Sequence, residues 1–348
     1  MSNTVPRARF GRGIRHEAGT ELAALNVGRP LVLATPGQAD MALEIAADLG
    51  ECAAGIFTMA AMHTPVAVTQ EALAHARSVG ADSLVAVGGG STIGLAKALA
   101  LRADFPQVAI PTTYAGSEAT PILGQTEDGV KTTLIDKKVL PEIILYDPEL
   151  VVSLPQQMTV SSSLNAVAHA AEALYARERT AASTETALVG LQAFFTGLPN
   201  VIADLSDLDA RERTLRGAWA CGTVLGQVGM ALHHKLCHTV GGSFDLPHAD
   251  VHAVILPHAI HYNSAVVPDL LAPLASLLDG RDPGRALWEF GKRMKAPLAL
   301  RDLGMEESQI NHAVEISMRN PYWNPREVTA EGLTAILRNA WAGNPPGV

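Results

Sequence analysis

The 348-residue sequence holds only three cysteines, Cys52, Cys221 and Cys237, and no pair spaced as Cys-x-x-Cys. That excludes a disulfide framework or a thiolate zinc site and suits a reducing, cytoplasmic setting. Charge is also sparse, at 18% Asp, Glu, Lys and Arg with a net charge of -9. No Lys/Arg run tracks a phosphate backbone, so nucleic acid is excluded as a partner. An anionic ligand would have to be met by isolated Arg and His positions. No segment reaches the ~18 uninterrupted apolar residues that span a bilayer, and the N-terminal MSNTVPRARFGRGIRHEAG lacks an apolar signal core. No membrane association is expected. Hydrophobic residues nevertheless make up 48% of the chain, enough to exclude wholesale disorder and to fill two domains of ordinary size.

The first half alternates short apolar runs with helical patterns. Strands are expected at 29–37, 54–60, 83–90 and 107–113. Helices are expected at 38–50, stopped by Gly50, at 67–80, with Thr69 as N-cap, and at 91–103. Such βα repeats imply an α/β fold with an open, mostly parallel sheet. From about residue 156 the pattern is helical throughout, at 159–178, 184–200, 208–232, 233–241 and 249–263. The change falls at YDPELVVSLP (146–155), which divides the chain into domains 1–152 and 153–348. The stretch DGVKTTLIDKKVLP, with Lys131, Lys137 and Lys138, reads as a solvated hairpin or loop without a role.

The full GxGxxG fingerprint is missing, but Gly88, Gly89, Gly90 and Ser91 lie between a strand and a helix. Glycines let a backbone approach a ligand closely, and the N–H groups of a helix N-terminus bind anions such as a pyrophosphate. A tight βα turn would have the same composition. The dinucleotide reading gains from a second polar loop, PTTYAGSEAT, after the next strand, where Thr112, Thr113 and Ser117 either cap helices or meet a ligand. In a parallel sheet both loops emerge at the carboxyl ends of the strands. The turn after the first strand, Thr35-Pro36-Gly37, has no carboxylate until Asp40. Discrimination against a 2′-phosphate should therefore be weak, so that NADH or NADPH serves.

Eight of the twelve histidines fall between 169 and 261. Asn165 and His169 share a helix face, as do His234 and His238, the i, i+4 spacing that metal-binding helices use. His248 follows, with His252 one turn on. Imidazole is the commonest metal ligand and the common general acid near neutral pH. His16, His63, His75, His258, His261 and His312 read as ordinary surface or core residues.

The segments GGGSTIGLAKA, PTTYAGSE, SSSLNAVAHAAEALYA and GQVGMALHHKLCHTVGGSFDLPHADVHAVILPHAIHYN resemble, in order, the diagnostic segments of the iron-containing alcohol dehydrogenases. The resemblance implies a Rossmann-like dinucleotide-binding domain followed by an all-helical domain, as in the dehydroquinate synthase-like fold, with catalysis in the cleft between them. It also implies a homodimer or larger oligomer. That family holds its metal with one Asp and three His, which fall here on Asn165, His169, His234 and His248, while His238 matches a non-ligand histidine near the nicotinamide. The Asp of the GGGS helix is replaced by Gly94. A neutral amide is a poorer cation ligand than a carboxylate, and this departure resembles the maleylacetate reductases, which implies that no metal is required. On that reading His238 is the proton donor, the other three histidines are catalytic, protonated imidazoles stand in for the Lewis acid, and Asn165 meets a dicarboxylate substrate. In NPYWNPREVT (320–329), Tyr322 and Arg326 are further substrate candidates, since Arg grips carboxylates bidentately. The alternatives are a metal-dependent alcohol or polyol dehydrogenase binding Fe or Zn through His169, His234 and His248, and a non-catalytic nucleotide-binding protein.

Overall fold

Short runs of β-branched and aliphatic residues in the first half become strands buried on both faces, as a parallel sheet covered by helices requires. In the computed structural model, which describes residues 5–319 and 322–347, the strands are β1 (Arg7–Phe10), β2 (Pro30–Leu33), β3 (Gly55–Phe57), β4 (Ser83–Gly88), β5 (Gln107–Pro111), β6 (Ile122–Glu127), β7 (Val130–Ile135) and β8 (Ile143–Tyr146). Six of them form one sheet in the order β1-β8-β5-β4-β2-β3, every neighbour parallel. Helices α1 (Ala18–Ala24), α2 (Ala39–Leu49), α3 (Val66–Ser78) and α4 (Gly90–Ala103) belong to this unit. From β2 the chain runs outward to β3, then returns to place β4 on the other side of β2. The strand order therefore reverses between β2 and β4, the place where open α/β sheets bind ligands.

The chain separates into two compact units, Met1–Leu154 and Pro155–Val348. The second is helical: α5 (Gln156–Ala173), α6 (Ala181–Ala203), α7 (Leu208–Leu225), α8 (Leu232–Phe244), α9 (His248–Ser264), α10 (Pro268–Leu277), α11 (Pro283–Arg293), α12 (Gln309–Arg319) and α13 (Ala330–Ala342). Its core includes Leu236 and Val240 of α8, Val251 and Ile255 of α9 and Leu333 and Leu337 of α13. Helix α6 is long and apolar enough to cross a membrane by length and composition. Here it packs on α7, where Gly190 and Gly217 face Cys221 and Phe194 so closely that added methyl groups would overlap or crowd them.

The structure departs from the sequence reading in three places. Thr69 is not an N-cap: α3 starts three residues earlier, after Pro65, and the Thr69 hydroxyl donates to the Pro65 carbonyl at 3.2 Å. Strands β1 and β8 were not anticipated. β1 is an edge strand bearing Arg7 and Arg9, and β8 is only four residues long. The 128–141 stretch, read as a solvated hairpin or loop, does begin as a hairpin, β7 pairing antiparallel with β6 through the turn Asp128-Gly129, both residues at positive φ. Asp-Gly is the preferred sequence for such a two-residue hairpin. The Lys131 side chain lies outside the described part of the chain.

Candidate active site

In the α/β unit the ends of β2, β4 and β5 are tied together by side chains. The Thr35 hydroxyl donates to Gln38 Oε1 at 3.1 Å, and Gln38 Nε2 donates to Thr112 Oγ1 at 2.7 Å. The Thr112 N–H donates to the Gly88 carbonyl at 3.1 Å. Gly88 ends β4, Gly89 caps α4, and Gly90 and Ser91 form its first turn. A Cβ on Gly88 would come within 2.3 Å of Thr92 Oγ1, and one on Gly89 within 2.9 Å of Thr113 Cγ2. The glycines are therefore required by close packing of the two loops as well as by any ligand. Thr35, Gly88–Ser91, Thr112 and Thr113 come together, with Gln38 as an unforeseen member. Asp40 is exposed in the first turn of α2.

Ser117 lies in the second loop, its hydroxyl buried and unpaired. That loop is organised by Lys97, a residue the sequence reading did not single out. From the buried face of α4 its ammonium donates to the carbonyls of Ser117 (2.5 Å), Thr120 (2.7 Å) and Ile122 (2.9 Å). Three carbonyls match the three N–H groups of an ammonium. Burial pulls the Lys97 pKa down to about 7, and the Glu118 carboxylate opposes the shift.

The helical unit carries the histidine cluster. Asn165, His169 and Glu172 follow one another at i, i+4 and i+7 on α5 and so share a face. Helix α8 adds His233, His234 and His238, and α9 adds His248 and His252. Ring centroids lie 5.2 Å apart for His169 and His234, 5.1 Å for His234 and His252, 4.3 Å for His248 and His252, and 6.0 Å for His238 and His248. His238 and His248 are exposed, whereas Asn165, His169 and His234 are 5–7% exposed and His252 only 1%. The cluster thus has a wet edge and a dry floor.

On that floor Asn165 Oδ1, His169 Nδ1, His234 Nε2 and both ring nitrogens of His252 have no partner. Each buried polar atom left unpaired costs about 1–3 kcal/mol, so the floor is built to receive polar groups. Burial pushes the imidazoles of His169, His234 and His252 well below the ordinary histidine value, and adjoining imidazoles add to the shift. Burial thereby favours the neutral form of His169 and His234.

Glu172 is the functional residue that sequence reasoning missed. Its carboxylate is fully buried, and Oε2 accepts from His234 Nδ1 at 2.7 Å and from the Ala231 N–H at 3.0 Å. Oε1 accepts from the His233 N–H at 2.8 Å and from the Tyr175 hydroxyl at 3.1 Å. Its position three residues after His169, in the otherwise small and apolar run AHAAEALYA, was the available signal.

Tyr322 and Arg326 part company. The Tyr322 ring lies 5.6 Å from Lys235 Nζ, next to His234 in sequence, and its hydroxyl is buried without a partner. Arg326 instead stacks on the Tyr262 ring, 4.0 Å from its centroid, and donates from Nη1 to the Tyr262 carbonyl at 2.9 Å. Tyr262 adjoins Asn263, whose Nδ2 donates to Asn324 Oδ1 at 3.0 Å, and the same oxygen accepts from the Leu232 N–H at 3.4 Å, so this loop is tied to the start of α8. Asn320 and Pro321 of the same loop lie outside the described residues.

The donor set meets the test for a divalent cation only in part. A ligating histidine normally donates its second ring N–H to a carboxylate, as His234 does. The unpaired Asn165 Oδ1 and His234 Nε2 are donor atoms, but the anionic ligand is absent. Ligand atoms that gather within 4.8 Å of one another are those of His233, Cys237 and His252, and of Glu172, His233 and His234. The first group is already linked internally, with His233 Nε2 3.3 Å from Cys237 Sγ and 3.1 Å from the His252 carbonyl.

A parallel-sheet unit with a glycine cradle, joined in sequence to a helical unit with this histidine pattern, defines a dehydrogenase class, and the chain belongs to the iron-containing alcohol dehydrogenase family. The model of that family matches residues 6–148, and that of its C-terminal part matches residues 159–341. Within the family the chain is similar to the maleylacetate reductase of Rhizobium sp. strain MTP-10005, with 53% identity covering 97% of this chain and 96% of the other. It is 48% identical to the maleylacetate reductase of Sphingobium indicum over 98% of this chain and 96% of the other. The crystal structure of maleylacetate reductase from Agrobacterium tumefaciens superposes with a TM-score of 0.96 at 50% identity, covering 98% and 97% of the two chains.

Proposed function

We propose that this oxidoreductase reduces the C=C bond of maleylacetate to give 3-oxoadipate, with hydride from NADH or NADPH, as a step in the breakdown of aromatic compounds. The observation that carries the reading is Asn165, a buried neutral amide with an unpaired oxygen, at the position of the family's anionic ligand, in a chain about half identical to maleylacetate reductases. Maleylacetate is a dicarboxylate whose C=C is conjugated to a ketone. Hydride from the nicotinamide C4 adds at the carbon β to that ketone and leaves an enolate, which must be stabilised and protonated. His238, exposed and imidazole-bearing, is the proton donor, and His248 beside it holds anionic oxygen. Asn165 offers an amide N–H to a carboxylate where an aspartate would repel it. His169 and His234, kept neutral by burial, line the floor. No step passes through a metal.

Wild-type enzyme should oxidise NADH rapidly with freshly generated maleylacetate and slowly or not at all with simple aldehydes and ketones. Preference for a simple carbonyl substrate would move the assignment to an alcohol dehydrogenase. We take the enzyme to work in the cytoplasm as a homodimer, on a small dicarboxylate, with no nucleic-acid or membrane partner.

A further inference from the structure

Glu172 takes no part in the steps above, yet four donors converge on its two oxygens in full burial. We propose that Glu172 is a positioning residue that locks the His234 ring, holding the proton on Nδ1 and so presenting Nε2 to the floor that Asn165 and His169 share. The inference rests on the reading of this cluster as catalytic.

An ionised carboxylate accepts and never donates. Each Glu172 oxygen receives one backbone N–H and one side-chain donor, from Ala231 and His234 on Oε2 and from His233 and Tyr175 on Oε1. With those four contacts its acceptor capacity is filled, and at 2.7 Å His234 Nδ1 has to be the proton-bearing nitrogen. The opposite nitrogen, Nε2, is the one left without a partner.

The two backbone donors matter as much. Ala231 is the N-cap of α8 and makes no side-chain cap bond. Glu172, reaching across from α5, caps the helix in its place, where the N-terminal N–H groups and the helix dipole favour a negative charge. Ring and helix end are therefore held by the same carboxylate, and His234 cannot turn without disturbing the start of its own helix. A glutamine at 172 would set an NH2 group against two of the four donors, so the ring would have to release or flip.

The decisive measurement is nitrogen NMR of histidine-labelled wild-type protein, with the His234 signals identified by their loss in His234→Gln. The expected result is an Nδ1-protonated His234 whose ring proton lies far downfield and exchanges slowly. An Nε2-protonated ring with no protected Nδ1 proton would overturn the inference without any variant. Glu172→Gln should lose that proton and lower kcat on maleylacetate about 10–100-fold, with KM for NADH unchanged. Glu172→Asp, which keeps the charge, should recover part of the loss. A folded Glu172→Gln enzyme with wild-type kcat and tautomer would also overturn it. Should the wild type fail to reduce maleylacetate, the functional reading fails, while the NMR result still decides the role of Glu172.

Discussion

Gly94, where the family usually carries an aspartate, provides a sharp test of the packing behind the glycine cradle. A Cβ at this position would lie 2.3 Å from Thr64 Oγ1 but 3.6 Å from Thr64 Cβ and 3.9 Å from its Cγ2. The overlap is therefore with one hydroxyl alone. Thr64 has little freedom to withdraw. It is buried, its φ is +47°, and its carbonyl accepts from the Thr126 N–H at 3.2 Å. Overpacking of this kind costs about 1–3 kcal/mol, offset by up to ~1 kcal/mol because alanine favours a helix over glycine. Gly94→Ala should therefore destabilise the protein by about 1–2 kcal/mol, and Gly94→Asp by more. Thr64→Ala removes the offending oxygen and leaves the nearest atom at ordinary contact distance, so the double variant Gly94→Ala/Thr64→Ala should be more stable than the sum of the single effects by at least ~1 kcal/mol. Urea unfolding of the four proteins, followed by circular dichroism, measures the coupling. A Gly94→Ala protein as stable as the wild type, or strictly additive effects, would refute the reasoning.

Other expectations follow from single contacts. His238→Asn should lower kcat about 10²–10⁴-fold if it removes the general acid, with little change in the KM for NADH, as steady-state kinetics would show. Arg326→Ala should lower thermal stability, through loss of its stacking on Tyr262 and one hydrogen bond, about 1–2 kcal/mol together, as calorimetry would show. Lys97→Met should strip the second loop of its organiser and destabilise the α/β unit by about 1–3 kcal/mol for each carbonyl left unpaired, and NADH titration should show weakened binding. Burial depresses His258 to about 4, with His261 adding to the effect. The unfolded chain therefore binds a proton that the folded one refuses, so stability is fully present above about pH 6.5 and falls as pH drops from there toward 4. A flatter urea-midpoint profile over that window is expected for His258→Gln.

The βα repeats and the helical second half were legible because their apolar periodicities differ, and the i, i+4 pairs of His and Asn show on a linear reading. β1 and β8 were not legible. Four residues carry too little pattern, and an edge strand with alternating arginines does not look buried. Glu172 and Lys97 escaped because the one signal each carried, a charge within a small and apolar helical run, does not name the buried partners that the fold supplies. Arg326 shows the complementary case: a guanidinium just after Pro325 suits a carboxylate, but only the fold reveals that the Tyr262 ring stacks on it. The charge state of the imidazoles likewise depends on burial, which a count of histidines does not contain.

On the proposed reading, reduction proceeds with Asn165 in place of an anionic metal ligand and without bound metal. The most direct test is NADH oxidation with maleylacetate before and after exhaustive chelation, with metal analysis of the same sample. Turnover unchanged in metal-depleted protein is the predicted result. Activity lost on chelation and restored by Fe²⁺ or Zn²⁺ would contradict the account and make Asn165 a working ligand.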